Sequence, residues 1–503
     1  MQINVVEYFL ETEQRHPLRA AVVSGESGWT FHELGLRARA IARRITALKP
    51  SRSAPIAVYL PKSKEAIASF LGIAFSGNCY APLDIKMPAA RLEITLRNLQ
   101  PALLLTSEDL KARLVESGVE PSRLLILDEI SGEDGPAPEA WRETIDTDPL
   151  YILHTSGSTG QPKGVVIAHR SVIDYIDWAR KCFGIDEHTV IGNQAPLIFD
   201  NSTLDIYLCL ACGASLHLIP EDLFLFPVRL MEYLAKHAVS FVFWVPSVLV
   251  NVAKAQILDR ISGLCLQKIL FAGEVMPARH LNMWRERFPS ALFANLYGPT
   301  EITVDCTYYV VEGHLSDDDP VPIGRACRNT GILILSEDNR KCGVNEQGEL
   351  CVRGSSLALG YWNQPIQTAA AFVQNPLNPH YPELIYRTGD LVYQNQTGEI
   401  IFVGRKDSQI KHMGYRIELG EVENSALQVA GVQNACVLYH SLRKEIVLFY
   451  EGATDLDASG VRNELSRRLP KYMWPRVVQR VDELPRNPSG KIDRKQLTTQ
   501  YAS

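Results

Sequence analysis

The stretch "LHTSGSTGQPKGV" at residues 153–165 gathers Thr155, Ser156, Ser158 and Thr159 around Gly157 and Gly160, then adds Lys163. Glycines let the backbone come close to a ligand, hydroxyls and amides donate hydrogen bonds, and the lysine supplies charge. Such a loop can wrap an anion. Taken alone it is equally a flexible polar loop. A Walker-type loop needs G-x-x-x-x-G-K-[ST]. Here Lys163 follows Pro162 and precedes Gly164, so that spacing fails. The stretch can still bind phosphate, but a P-loop fold is not supported, and the rest of the chain has to decide.

Working outward, short apolar runs alternate with segments of helical period. "APIAVYLP", "ALLLTS", "SLHLIP", "FVFWVPS" and "KILFAGE" read as strands. "SKEAIASFLGIAFSG" and "PVRLMEYLAKHAV" carry apolar residues at helical spacing. That alternation predicts an α/β fold with mixed or parallel sheets flanked by helices. "LVYQNQTGEIIFVGRKD" at 391–407 reads as a hairpin. After it come helix "ELGEVENSALQVA", strands "NACVLYH" and "EIVLFYEG", and helix "ASGVRNELSRRLP". These predict a large N-terminal domain over 1–406 and a small α+β domain over 407–503.

The chain has 503 residues, 46% hydrophobic and 21% charged, which describes an ordinary globular protein. A net charge of -6 argues against nucleic acid as the main partner. No run is apolar enough to span a membrane, and no basic leader precedes an apolar run, so a cytoplasmic protein is expected. Of the ten cysteines only Cys209 and Cys212 form a C-x-x-C, without further nearby ligands. They are expected to be buried thiols rather than a zinc site.

Further stretches carry chemistry-bearing residues in a fixed order. "FAGEVMP" holds Gly273 and Glu274, and "NLYGPTEITV" holds Asn295, Tyr297, Gly298, Thr300 and Glu301. "YRTGDLV" holds Asp390, and "GRKDSQIKHMGYRIELGEVE" holds Arg405, Asp407, Lys411 and Gly414. "NPSGKIDRKQL" holds Lys491. Each alone could be a turn, a hairpin end or a charged tail. Together, with "GNCYAPLD", "FDNSTLD" and "GELCVRGSSLALGYW", the set resembles the acyl-adenylate-forming enzymes. Within them it is most similar to free-standing amino acid adenylation enzymes of nonribosomal peptide synthesis.

The resemblance implies ATP and magnesium as cofactors and a role for each motif. Residues 155–160 and Lys163 would handle the ATP phosphates, with Gly273, Glu274 and Gly298 also lining the nucleotide site. Asp390 would hold the ribose hydroxyls, a task suited to an acceptor-only side chain. Asn295 and Tyr297 would contact adenine, with Phe402 covering its other face. Arg405 would reach the ribose or phosphate. Thr300 and Glu301 match the α-phosphate and metal positions. Lys491 would bridge the attacking carboxylate and the phosphate, where two anions must approach. Rotation about Asp407 would then withdraw Lys491 and bring 409–416 inward, so that Lys411 and Gly414 line a tunnel for a phosphopantetheine arm.

Asp200 resembles the aspartate that pairs with a substrate α-ammonium; a helix N-cap is its structural alternative. The remaining wall matches by position Asn201, Leu204, Phe243, Leu270, Ala272, Leu296, Val304 and Asp305. Bulky Leu204 and Phe243 suggest a shallow pocket, and Asp305 could bond a hydroxyl or pair with a side-chain amine. Leu296, Val304 and Asp305 with Lys491 resemble the lining of serine-activating domains, which Leu204 and Phe243 do not match, and a serine-like amino acid is expected. No carrier signature follows the C-terminal motif, so the acceptor thiol is expected on a separate carrier protein. D-alanine–carrier protein ligase and acid–CoA ligase remain alternatives within the superfamily. An inactive scaffold relative is the alternative outside catalysis.

Overall fold

The computed structural model describes residues 2–130, 135–136, 138–157, 162–441, 443–452, 456–486 and 492–502. The predicted strands form at Pro55–Tyr59, Leu103–Thr106, Ser215–Leu218, Phe241–Trp244 and Lys268–Ala272. The predicted helices form at Lys64–Phe75 and Pro227–Lys236. Ser63 caps the first by accepting from the Ala66 amide, and Pro227 opens the second, where a missing N–H costs nothing.

Two sheets build the body. One has seven strands, with Cys79–Pro82, Pro55–Tyr59 and Leu103–Thr106 parallel at its centre and Lys163–Ala168 antiparallel to Pro149–Thr155. The other has nine strands, with Phe241–Trp244, Lys268–Ala272 and Leu292–Tyr297 parallel in register. The helix Asn201–Cys212 is buried along most of its length and belongs to the apolar core they share. Its low amphipathicity fits an element covered on all sides. Cys209 lies in that core with its thiol against the Ala21 carbonyl, at 3.3 Å.

A third, antiparallel sheet centres on Gly348–Gly354 and Leu384–Gln394, with Ile400–Arg405 paired to the latter. Beyond it the hairpin Gln409–His412/Tyr415–Glu418 leads into a three-stranded sheet of Val432–His440, Glu445–Gly452 and Val477–Arg480. Helices Leu419–Leu427 and Ala458–Arg468 pack on this sheet around Ile417, Val422, Leu448 and Leu465. No helix among the described residues is long and apolar enough to cross a membrane.

Candidate active site

A cleft opens where the two large sheets meet the hairpin 409–418. Thr155, Ser156, Asp200, Asn201, Gly273, Gly298, Thr300, Asp390, Arg405, Lys411 and Gly414 line it. Sheet register sets one wall, because the pairing of Leu384–Gln394 with Ile400–Arg405 puts Asp390 opposite Arg405. Gly298 is a packing necessity. A Cβ there would lie 2.3 Å from the Val304 carbonyl oxygen.

Asp390 is the hub of that wall. Arg405 Nη1 donates to its Oδ1 at 2.6 Å, and the Tyr297 hydroxyl donates to its Oδ2. Arg405 also forms a two-pronged pair with Asp407, at 2.7 Å to each oxygen. Burial opposes the Asp407 charge, but Arg405 overrides it and holds the carboxyl below its ordinary pKa. The Phe402 ring stands 6.3 Å from that of Tyr297. Asn295 donates to the Pro322 carbonyl at 2.7 Å and so ties its side chain to a neighbouring loop.

Asp200 stands at the start of helix Asn201–Cys212 yet makes no side-chain capping bond. Instead it accepts from the Thr300 hydroxyl at 2.5 Å. Burial raises its pKa to about 6, while the Thr300 bond and Lys411 oppose the rise. Next to Thr300, Glu301 is fully buried, and both of its oxygens are engaged. Tyr361 donates to one at 2.8 Å and Arg416 to the other at 2.7 Å. Burial would raise the Glu301 pKa, but the Arg416 charge prevails and lowers it. With Arg416 in this position a magnesium ion does not fit on Glu301.

The hairpin that supplies Arg416 is docked in the cleft. The Gly414 amide donates to Glu274 Oε1 at 2.9 Å, and the Ser156 hydroxyl donates to the Arg416 carbonyl at 2.9 Å. Glu274 also accepts from the Ser247 amide at 2.9 Å, so it bridges the hairpin and the body. Lys411 lies over the Tyr297 ring with Nζ 5.5 Å from its centre. Burial lowers the Lys411 pKa against the attraction of Asp390. Lys163 sits over Tyr361 at 5.3 Å. Ser158, Thr159, Gly160 and Lys491 lie outside the described residues.

Residues 9–362 match the model of the AMP-binding enzyme family, and residues 421–491 match that of the AMP-binding enzyme C-terminal domain. The chain belongs to the AMP-binding enzyme family. An L-proline–[L-prolyl-carrier protein] ligase of Pseudomonas fluorescens is 34% identical, over 98% of this chain and 98% of that protein. Tyrocidine synthase 1 of Brevibacillus parabrevis is 30% identical over 98% of this chain, which spans only 45% of that longer protein. Among solved structures, holo-PA1221 has a TM-score of 0.83 at 25% identity, covering 99% of this chain and 84% of that one. Holo-PA1221 is described as a nonribosomal peptide synthetase protein containing adenylation and carrier domains.

In this AMP-binding enzyme the expected substrate wall divides. Asp200 and Asn201 border the cleft. Leu204, Phe243, Leu270, Ala272, Leu296 and Val304 are each at most 3% exposed and pack into the main core. They close against one another, as apolar side chains do where nothing separates them. Asp305, at 2% exposure, accepts from the Tyr175 hydroxyl at 2.6 Å. Four residues of this neighbourhood escaped the sequence reading: Tyr175, Tyr361, Arg416 and Arg91. Arg416 lies inside a quoted motif, where its charge was a usable signal. Tyr361 also lies inside a quoted motif, at the end of "GELCVRGSSLALGYW", whereas Tyr175 and Arg91 come from distant helices and carry no local mark.

Proposed function

We propose that the enzyme activates a small amino acid with ATP and passes it to the phosphopantetheine thiol of a separate carrier protein. A carboxylate oxygen of the amino acid attacks the α-phosphorus, the bond to the β-phosphate oxygen breaks, and pyrophosphate leaves. The thiol, giving up its proton, then attacks the carbonyl carbon of the mixed anhydride, and AMP leaves. The observation that carries this reading is Asp200. It is a carboxylate lining the cleft, free of side-chain capping duty and without an ion-pair contact among the described residues, Lys411 acting on it only through space. An unpaired carboxylate in a dry cleft is costly, and a substrate ammonium would relieve it. The carrier acceptor is suggested by the proline–carrier protein ligase that the chain matches end to end.

The chain's own groups divide the work. Asp390, with Tyr297 and Arg405 on either oxygen, is built to hold a diol. Ser156, Gly157 and Lys163 serve the phosphates, and Lys491 bridges the reacting anions from the small unit. That unit comprises 407–503 and turns about Asp407, which pairs with Arg405. In the docked arrangement the hairpin 409–416 serves the second step, with Gly414 beside Val245 and Lys411 over Tyr297. Magnesium could reach Thr300 and Glu301 only with Arg416 withdrawn. A serine-like side chain remains the preferred substrate on the sequence resemblance of the wall, although Asp305 is buried against Tyr175 and does not line the cleft in this arrangement. ATP–pyrophosphate exchange across a panel including L-serine, L-alanine, L-proline and D-alanine tests the reading. Exchange with no amino acid would reject it.

A further inference from the structure

Arg91, on the helix Ala89–Leu99, borders the same cleft as Thr155 and Ser156. It donates through Nη1 to Glu421 Oε1, 330 residues away, in the first turn of the small unit's helix Leu419–Leu427. Both side chains are buried, at 9% and 1% exposure. The second oxygen of Glu421 has no hydrogen bond among the described residues. Burial raises the Glu421 pKa, opposed first by Arg91 and then by the nearby Gly157 backbone N–H. The Thr155 hydroxyl is likewise buried without a partner among the described residues. A carboxylate of the small unit thus sits in a pocket made by a guanidinium and the start of the glycine-rich loop. Such a pocket suits a phosphate oxygen equally well.

A buried ion pair is a poor fastener. Desolvation consumes most of its attraction, and two apolar side chains would hold as well. What an ion pair does provide is a position where one anion can exchange for another. When the small unit turns away, Glu421 goes to water, but Arg91 stays in the cleft and needs a new counter-charge. The first step of the proposed reaction releases a diphosphate beside it.

We propose that Arg91 is a ligand for the leaving diphosphate, and that Glu421 takes its position on Arg91 once that group has gone. Diphosphate and the docked small unit are then mutually exclusive. The inference rests on the adenylation reading and adds to it a named anion subsite and a reason for the order of the two steps.

The test uses inorganic pyrophosphate and the full chain, without turnover. Calorimetry measures its affinity, and energy transfer between dyes on the body and on the small unit reports docking. In wild type, pyrophosphate should bind and increase the dye separation. Arg91→Gln should weaken pyrophosphate binding by about tenfold or more, the worth of a charge-assisted bond. Glu421→Gln should strengthen it, because the competitor is weakened. The pair Arg91→Leu with Glu421→Leu should dock as wild type does, yet bind pyrophosphate as weakly as Arg91→Gln. The proposal is overturned if Arg91→Gln binds pyrophosphate normally, if the double variant does, or if bound pyrophosphate leaves the wild-type separation unchanged. Failure of the adenylation reading itself would register separately, as absence of exchange in the wild-type panel.

Discussion

The Tyr175 hydroxyl donates to Asp305 Oδ2 at 2.6 Å, joining the helix His169–Cys182 to the loop that follows Gly298. Burial pushes the Asp305 pKa up to about 8, with Tyr175 opposing the rise. The folded protein therefore keeps a proton that the unfolded chain has released above pH ~4. Stability should fall as pH rises from about 4 to about 8, since the native state binds more protons throughout that window. Asp305→Asn removes the titration. Thermal unfolding should find this variant gaining on wild type from pH 5 to pH 8. Tyr175→Phe leaves Asp305 without its donor and should cost about 1–3 kcal/mol. An equal pH slope in wild type and Asp305→Asn would contradict the assignment.

Asp200 titrates in the opposite functional sense. Its carboxyl, raised to about 6 by burial, must be ionised to pair with an ammonium. Amino acid kcat/KM should therefore decline below pH about 6, approaching tenfold per unit, because this parameter reports the free enzyme. Asp200→Asn should show a low value without that limb. The profile of wild type beside the variant, taken by exchange assay, checks the point. A limb that persists in the variant would assign it to another group.

Gly414 has φ +82°, and a Cβ there would lie 3.0 Å from Val245 Cγ1. Gly414→Val should combine backbone strain with that clash, and the docked arrangement should suffer. Strain of this kind costs about 1–3 kcal/mol, so transfer to the carrier should slow by roughly tenfold or more. Adenylate formation, which does not need the docked hairpin, should persist. Single-turnover measurement of each half-reaction separates the two. Equal loss in both steps by a folded variant would count against a two-arrangement cycle.

Lys491→Ala should remove the cation at the first transition state and lower exchange on the order of a hundredfold. Transfer from supplied aminoacyl-AMP should continue. An exchange rate like wild type would remove Lys491 from the reaction.

The sequence by itself determined the motifs, their order and most of the regular elements. These are local facts. The run "APIAVYLP" carries its strand at Pro55–Tyr59, and the spacing in "ELGEVENSALQVA" carries the helix Leu419–Leu427. "FDNSTLD" offered two readings of Asp200, a cap or a charge partner, and only the fold set the side-chain cap aside, by giving its oxygen to Thr300. Of the antiparallel sheet around Gly348–Gly354 only the hairpin at 391–407 was legible; the pairing of Gly348–Gly354 with Leu384–Gln394 was hidden, because a helix and short strands intervene. So were the contacts that define this arrangement of the cleft. Arg91 meets Glu421 across 330 residues, Tyr175 meets Asp305 across 130, and Arg416 meets Glu301 across 115. Periodicity and capping act within a few residues and write themselves into the local string. Which charge meets which across the fold depends on how packed layers and a docked hairpin close on one another. Only the tertiary structure decided that.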